Sequence, residues 1–214
     1  MGTETTGPRE RYRAQVRAEI KQRAWEQLAT TGVAALSLKA IAEQLGMSGP
    51  ALYRYFASRD ELITALIRDA YRSLADALRA AADHGADIAG LAHAVRAWAL
   101  DEPQRYLLVY GTPVPGYHAP DDTTAISGEI MATVLAVYRR RDVPPSGRRF
   151  ETHLDAHRGW AADPTVPAAT LRQALAFWTR VHGVLSLELA GHFAGMGFDP
   201  GLLFDDEIDD LLRR

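Results

Sequence analysis

Tyr53, Arg54, Tyr55 and Arg59 place two phenols and two guanidiniums within seven consecutive positions. Such groups do little covalent chemistry at neutral pH. They donate hydrogen bonds, and the arginines carry permanent charge, which suits them to gripping phosphate oxygens and base edges. Ser48, Gly49 and Pro50 precede them, and Ser37 and Lys39 stand one helix upstream. These donors reach a duplex only if short helices hold them outward.

The flanking residues are spaced to build such helices. Ser37 is positioned to cap a helix whose apolar residues Leu38, Ile41, Ala42 and Leu45 recur at i, i+3, i+4 and i+7, one buried face. Gly46 follows, where a left-handed backbone costs glycine little. Met47 plugs the turn, Ser48 can cap the next helix, and Pro50 falls in its first turn, where a missing N–H is tolerated. Leu52 and Phe56 then face inward, leaving Gly49, Pro50, Tyr53 and Arg54 outward. Ser58-Arg59-Asp60-Glu61 matches the S-x-x-E capping box and opens a third helix carrying Leu62, Leu66 and Ile67. Upstream, Val16, Ile20, Ala24 and Leu28 predict a helix over 9–31, ended by Gly32. Two short helices joined by a tight turn can set the second into a major groove.

With these residues in view, the segment 9–65 resembles the N-terminal DNA-binding domain of the tetracycline-repressor-like (TetR/AcrR) family of bacterial transcriptional regulators. Ile20, Ala24, Leu28, Gly32, Ile41-Ala42, Leu45-Gly46, Ser48 through Phe56 and Ser58 through Leu62 carry the likeness. Many members have histidine at Tyr55 and lysine at Arg59, substitutes that still donate to phosphate. The resemblance implies phosphate contacts from Tyr53, Tyr55 and Arg59, base-edge reading by Gly49, Pro50 and Arg54, and backbone contacts from Ser37 and Lys39, with Ser48 also among the DNA-binding residues. Without a DNA role, the same three helices would be a fragment of a helical bundle.

Charge distribution fits a chain that touches DNA through one end. The net charge is −3, yet residues 1–60 hold nine Lys/Arg against six Asp/Glu while the remainder holds fifteen against twenty-one. The basic excess is small, so binding must rest on geometry and dimerisation more than on bulk charge. The absence of cysteine excludes disulfides, thiolate metal sites and cysteine nucleophiles. With no apolar leader and no run approaching the roughly 20 apolar residues of a membrane span, a cytoplasmic location without membrane association is expected. Residues 1–8 read as a disordered tail, 9–57 as the DNA-binding domain and 58–214 as a second helical domain, entered through a connecting helix over 58–84.

Apolar spacing stays helical through that second domain. Helices are predicted over 87–100, 103–110, 123–140, 148–161, 168–191 and 200–214, with a loop at Gly111-Thr112-Pro113-Val114-Pro115-Gly116. No alternating strand pattern appears, so the class is all-α. Trp178-Thr179-Arg180-Val181-His182-Gly183 resembles the signature of the WHG-type ligand-sensing domain found C-terminally in this family. Pro103, Tyr106 through Leu108, Tyr110-Gly111 and 112–117 are similar to its earlier loop. The likeness implies a homodimer with a small-molecule pocket. Trp178 and His182, four apart, share a helix face whose polar tips need partners if buried. Candidate pocket-lining residues are Trp98, Tyr106, Tyr110, Tyr117, Trp178 and His182, though a plain aromatic core explains the same spacing.

Other clusters yield no site. His153 and His157 are i, i+4 but lack the glutamate of H-E-x-x-H. Asp205-Asp206-Glu207 and Asp209-Asp210 lack the glycine and alternation of a calcium loop, and Arg139-Arg140-Arg141 complements a helix C-terminus. No Gly-rich phosphate cradle or nucleophile elbow occurs, and neither cofactor nor metal is expected. The expected function is that of a homodimeric repressor, bound to a palindromic operator and released by a small hydrophobic effector. A small-molecule-binding protein or enzyme with an incidental helix-turn-helix is the alternative.

Overall fold

The structure, a computed structural model, describes residues 7–111, 120–141 and 143–213. The expected loop over 112–116, Tyr117 and the first six residues lie outside the described residues. Among those described, ten α-helices and one 3₁₀ turn are present and no strand, the all-α class expected.

The first four helices form the head. Helix α1 (Pro8–Thr31) starts one residue before the expected boundary: Pro8, read as tail, occupies its first turn, where no N–H is missed. Val16, Ile20, Ala24 and Leu28 are buried along it, and Gly32 ends it at φ 74°. A 3₁₀ turn (Val33–Ala35) leads to α2 (Leu38–Gln44), capped by the Ser37 hydroxyl accepting from the Ala40 N–H at 3.3 Å. Gly46 takes φ 63° in the turn before α3 (Gly49–Tyr53). That helix is a little over one turn long, and Leu52 and Phe56 beside it are fully buried.

Helix α4 (Arg59–Asp83) joins the two domains by belonging to both cores. Its N-terminal half places Leu62, Ile63, Leu66, Ile67 and Ala70 in the head, and its C-terminal half places Leu74, Ala75 and Leu78 in the body. Each fully buried leucine or isoleucine there contributes about 1.5–3 kcal/mol, so the rod is anchored at both ends. The Ser58 hydroxyl accepts from the Glu61 N–H at 3.0 Å, half of the expected capping box. The Glu61 carboxylate reaches one residue further back, to the Ala57 N–H at 2.6 Å.

The body continues through α5 (Ile88–Asp101), α6 (Pro103–Tyr110), α7 (Asp121–Tyr138), α8 (Arg149–Ala156), α9 (Ala168–Leu189) and α10 (Pro200–Leu212). Helix α8 is five residues shorter than expected at its C-terminal end. Beyond it the Arg158 guanidinium donates to the carbonyls of Asp155, Pro164 and Val166 and ties the chain into a turn. Leu171, Ala174, Phe177, Val181 and Leu185 of α9 are buried at the body's centre. Ion pairs fasten its rim: Arg172 to Glu151 of α8 at 2.7 Å, Arg180 to Glu207 of α10 at 2.7 Å, and Arg96 of α5 to Glu188 at 2.8 Å. Helix α6 also bridges the domains, with Tyr106 in the body core and Leu108 in the head core.

Candidate functional site

A helix of five residues cannot hold its own shape in water, so α3 depends on side chains sent from elsewhere. Arg17 of α1 donates to the Tyr55 carbonyl, and its guanidinium lies 4.1 Å from the Phe56 ring centroid. One turn earlier, Arg13 donates to the Arg54 carbonyl at 3.4 Å. Cations on the last carbonyls satisfy groups that a helix end leaves bare. At the other side, the Gln27 side-chain carbonyl accepts from the Ser37 N–H at 3.0 Å and sets the start of α2. Neither arginine was singled out by the sequence, because their carbonyl partners lie about forty residues away.

Arg59 has a structural role that the spacing did not reveal. Its guanidinium donates back to the carbonyls of Val33, Ala34 and Leu36. Through Nε and one terminal nitrogen it ties the 3₁₀ turn to the start of α4. Ser37 likewise serves mainly as a cap.

The remaining candidates lie on or beside one outward face. Tyr53 is 54% exposed, Pro50 and Arg54 are exposed, and Gly49 and Tyr55 are half-buried. The Ser48 hydroxyl makes no cap bond to its own helix, and Lys39 is exposed, 3.9 Å from Glu43. Arg9, Tyr12 and Arg13 of α1, together with Arg54 and Tyr55, line a surface cleft of about 450 Å³. These α1 residues were missed; the arginines at 9, 11 and 13 at the start of an otherwise polar turn were the available signal.

In the body, five of the six pocket candidates come together. Tyr106, Tyr110 and His182 pack pairwise with ring centroids 4.2–5.6 Å apart, Tyr106 stacked on His182 and the other two pairs tilted. Trp178 meets His182 at 4.2 Å and Tyr110 at 6.1 Å, both edge-on. Trp98 is at the margin, 6.4 Å from Tyr106, its indole N–H donating to the Ser73 hydroxyl at 3.0 Å. Tyr71 of α4, not foreseen, packs edge-on to Tyr110 at 6.1 Å; its place three residues before Leu74, on the apolar face of α4, was the clue. The sixth candidate, Tyr117, is outside the described residues.

The polar atoms of this cage are unevenly served. The Tyr106 oxygen lies 3.0 Å from His182 Nδ1, 2.9 Å from Ser186 Oγ and 3.3 Å from the His182 carbonyl. By contrast, the Tyr110 hydroxyl and His182 Nε2 are sealed from solvent with no partner among the described residues. Burial pushes the His182 imidazole down to about 4, so it is neutral at physiological pH. Burial also drives the Tyr110 phenol well above its ordinary value, with the neighbouring Tyr71 and Tyr106 adding to the effect. No charged side chain contributes to either shift. Leaving two such atoms unmatched costs about 1–3 kcal/mol each.

Elsewhere the chemistry is spare. His153 on α8 and His157 just beyond its end are exposed and stack at 4.0 Å, and the His157 Nδ1 lies 2.9 Å from the His153 carbonyl. Among the described residues, no group of three His, Asp or Glu side chains is arranged to hold a metal ion. No described helix is long and apolar enough to cross a membrane.

Two family models match the chain: residues 20–66 match the bacterial regulatory proteins of the tetR family, and residues 88–211 match the tetracyclin repressor-like C-terminal domain. The chain is 38% identical over 219 residues to the HTH-type transcriptional regulator Rv1816 of Mycobacterium tuberculosis, covering 93% of this chain and 92% of that one. The regulator Mb1846 of Mycobacterium bovis matches to the same extent. Among solved structures, the regulatory protein SCO4313 is 64% identical with a TM-score of 0.90, covering 97% of this chain and 100% of that one. The TetR-family regulator PfmR of Thermus thermophilus, 18% identical with a TM-score of 0.57 over 91% of this chain and 97% of its own, shares the fold. The Mycobacterium relatives are regulators of transcription rather than enzymes. With both domain models in chain order and a full-length relative well above 30% identity, the chain belongs to the TetR family of transcriptional regulators, with a DNA-binding head and a helical C-terminal domain.

Proposed function

We propose that this regulator acts as a homodimeric repressor that binds a palindromic operator and leaves it when a small, largely hydrophobic effector enters the body. The single observation that carries this reading is the division of labour among the head's donors. Arg13, Arg17 and Arg59 hold the helix-turn-helix together from within, while Tyr53 and Arg54 are left exposed on its outer face. On this reading Arg54 reads base edges beside Gly49 and Pro50, and Tyr53, Tyr55, Lys39 and Ser48 meet the phosphate backbone. Arg9 and Tyr12 extend the phosphate grip across the cleft.

Two heads must stand about 34–36 Å apart to enter successive major grooves, so the dimer sets the spacing. Thr179, Gly183 and Leu187 recur every four residues along an exposed face of α9, and a Cβ on Gly183 would meet nothing within 4 Å. That face, with the exposed Leu202 of α10, is suited to a second copy. An effector releases DNA only by favouring a dimer whose heads are wrongly spaced. Such a protein meets its operator in the cytoplasm.

Titration with a short palindromic duplex at two salt concentrations tests the reading. Binding should be specific and weaken steeply with salt as counterions are displaced. Tyr53→Ala combined with Arg54→Ala should abolish operator selectivity, at a cost of about 1–3 kcal/mol for the base-reading arginine, while dimer mass and melting temperature hold. A chain with no affinity for DNA at low salt sinks the proposal.

A further inference from the structure

The cage in the body has a chemistry specific enough to name the class of molecule it takes, given the reading above that an effector binds there. Part of the Tyr71, Tyr110, Trp178 and His182 surfaces stays reachable by solvent, whereas the Tyr110 oxygen and His182 Nε2 lie just beneath. On the proposal made below, a ligand reaches these atoms by displacing a ring edge. The reward is the pairing of two groups that have no partner among the described residues.

Three features fix the ligand. The Ser186 hydroxyl can donate to the Tyr106 oxygen at 2.9 Å, and the Tyr106 hydrogen then goes to the nearer of its two remaining acceptors, His182 Nδ1 at 3.0 Å. With the Tyr106 hydrogen on Nδ1, the imidazole carries its own proton on Nε2, and in this tautomer Nε2 is a donor that calls for an acceptor. The Tyr110 hydroxyl donates to the same kind of atom. The rings around them present faces and edges at interplanar angles from 23° to 79°, which favours stacking with a flat molecule. Finally, burial holds both His182 and Tyr110 uncharged without help from any charged side chain, a surrounding that opposes an ionised ligand.

We infer that the cage binds an uncharged, planar aromatic molecule bearing a hydrogen-bond acceptor on its edge, a ring nitrogen or a carbonyl oxygen, which His182 Nε2 and the Tyr110 hydroxyl engage together.

Equilibrium dialysis of the full chain against quinoline, naphthalene and 2-naphthoate tests this, at a pH that keeps quinoline uncharged. The three probes share a flat bicyclic frame and differ in having a neutral acceptor, none, or a charge. Quinoline should bind about tenfold tighter than naphthalene, the gain of pairing a buried donor, and 2-naphthoate should bind weakest. His182→Phe and Tyr110→Phe should each bring quinoline down toward naphthalene while leaving naphthalene unchanged, which a merely misfolded cage would not do. Equal affinity for quinoline and naphthalene in the unaltered chain overturns the proposal. So does a preference for 2-naphthoate, a quinoline preference that survives both substitutions, or no binding of any probe. Operator titration of the same preparations separates the two levels. A chain that binds DNA but no probe defeats only the ligand class, and one that binds quinoline but no DNA defeats only the regulator reading.

Discussion

The helix-turn-helix and the aromatic cage handle polar groups in opposite ways. In the head, long side chains cross from one element to another and end on a backbone partner: Arg17 on Tyr55, Arg59 on the 33–36 turn, Gln27 on Ser37. In the cage, the Tyr110 hydroxyl and His182 Nε2 have no partner among the described residues, although Tyr106 beside them has three polar neighbours, His182 Nδ1 among them. Ties from side chain to backbone hold one geometry, which suits a surface that must match a duplex. Unpaired groups in a soft aromatic setting leave free energy for an incoming molecule to recover. Rigidity thus sits where recognition needs it, and unmet hydrogen bonding sits where a response can start.

The largest expected effect probes the head's core. Phe56→Ala removes a fully buried ring that also supports the Arg17 guanidinium and should cost about 3–5 kcal/mol. Thermal denaturation should show the head melting ahead of the body. A single unshifted transition would mean that the two cores are not separable in the way the packing suggests.

Next comes a pH effect confined to the body. In the unfolded chain His182 takes up a proton near its ordinary value, while in the folded chain burial delays this to about 4. Protons therefore favour the unfolded state, and stability that is fully present above the ordinary value is lost as pH falls toward 4. The loss should be on the order of 3 kcal/mol. Denaturant unfolding of the unaltered chain and of His182→Phe across that window checks the claim. If both fall equally, some other group governs the acid limb.

A smaller change sharpens the view of the head. Arg17→Ala leaves the Tyr55 carbonyl without its donor and should cost about 1–3 kcal/mol of stability. It should also weaken operator binding, although on the proposed reading Arg17 does not touch DNA. Arg17→Lys should restore only part of the effect, since an ammonium cannot both stack on Phe56 and donate in the same fixed plane. Full activity in Arg17→Ala would remove the case that the head is held by side-chain ties.

What could be read from the chain before any coordinates were known was the part written in near neighbours. Ser37, Gly46, Pro50, Ser58 and the i, i+4 apolar pairs specify helix starts, stops and buried faces, because caps and helical periodicity act within a turn or two of one another. The outward placement of Tyr53 and Arg54 followed from the same spacing. The bonds that hold α3 in place did not, since Arg17 and Tyr55 are 38 residues apart and Arg59 and Val33 are 26 apart. Nor did the cage, whose rings come from α4, α5, α6 and α9. Which side chains meet across four helices depends on crossing angles and rotamers chosen by the packing of the whole body. Local spacing thus determined where the helices lie, and tertiary packing alone decided which of their polar groups are satisfied and which are left waiting.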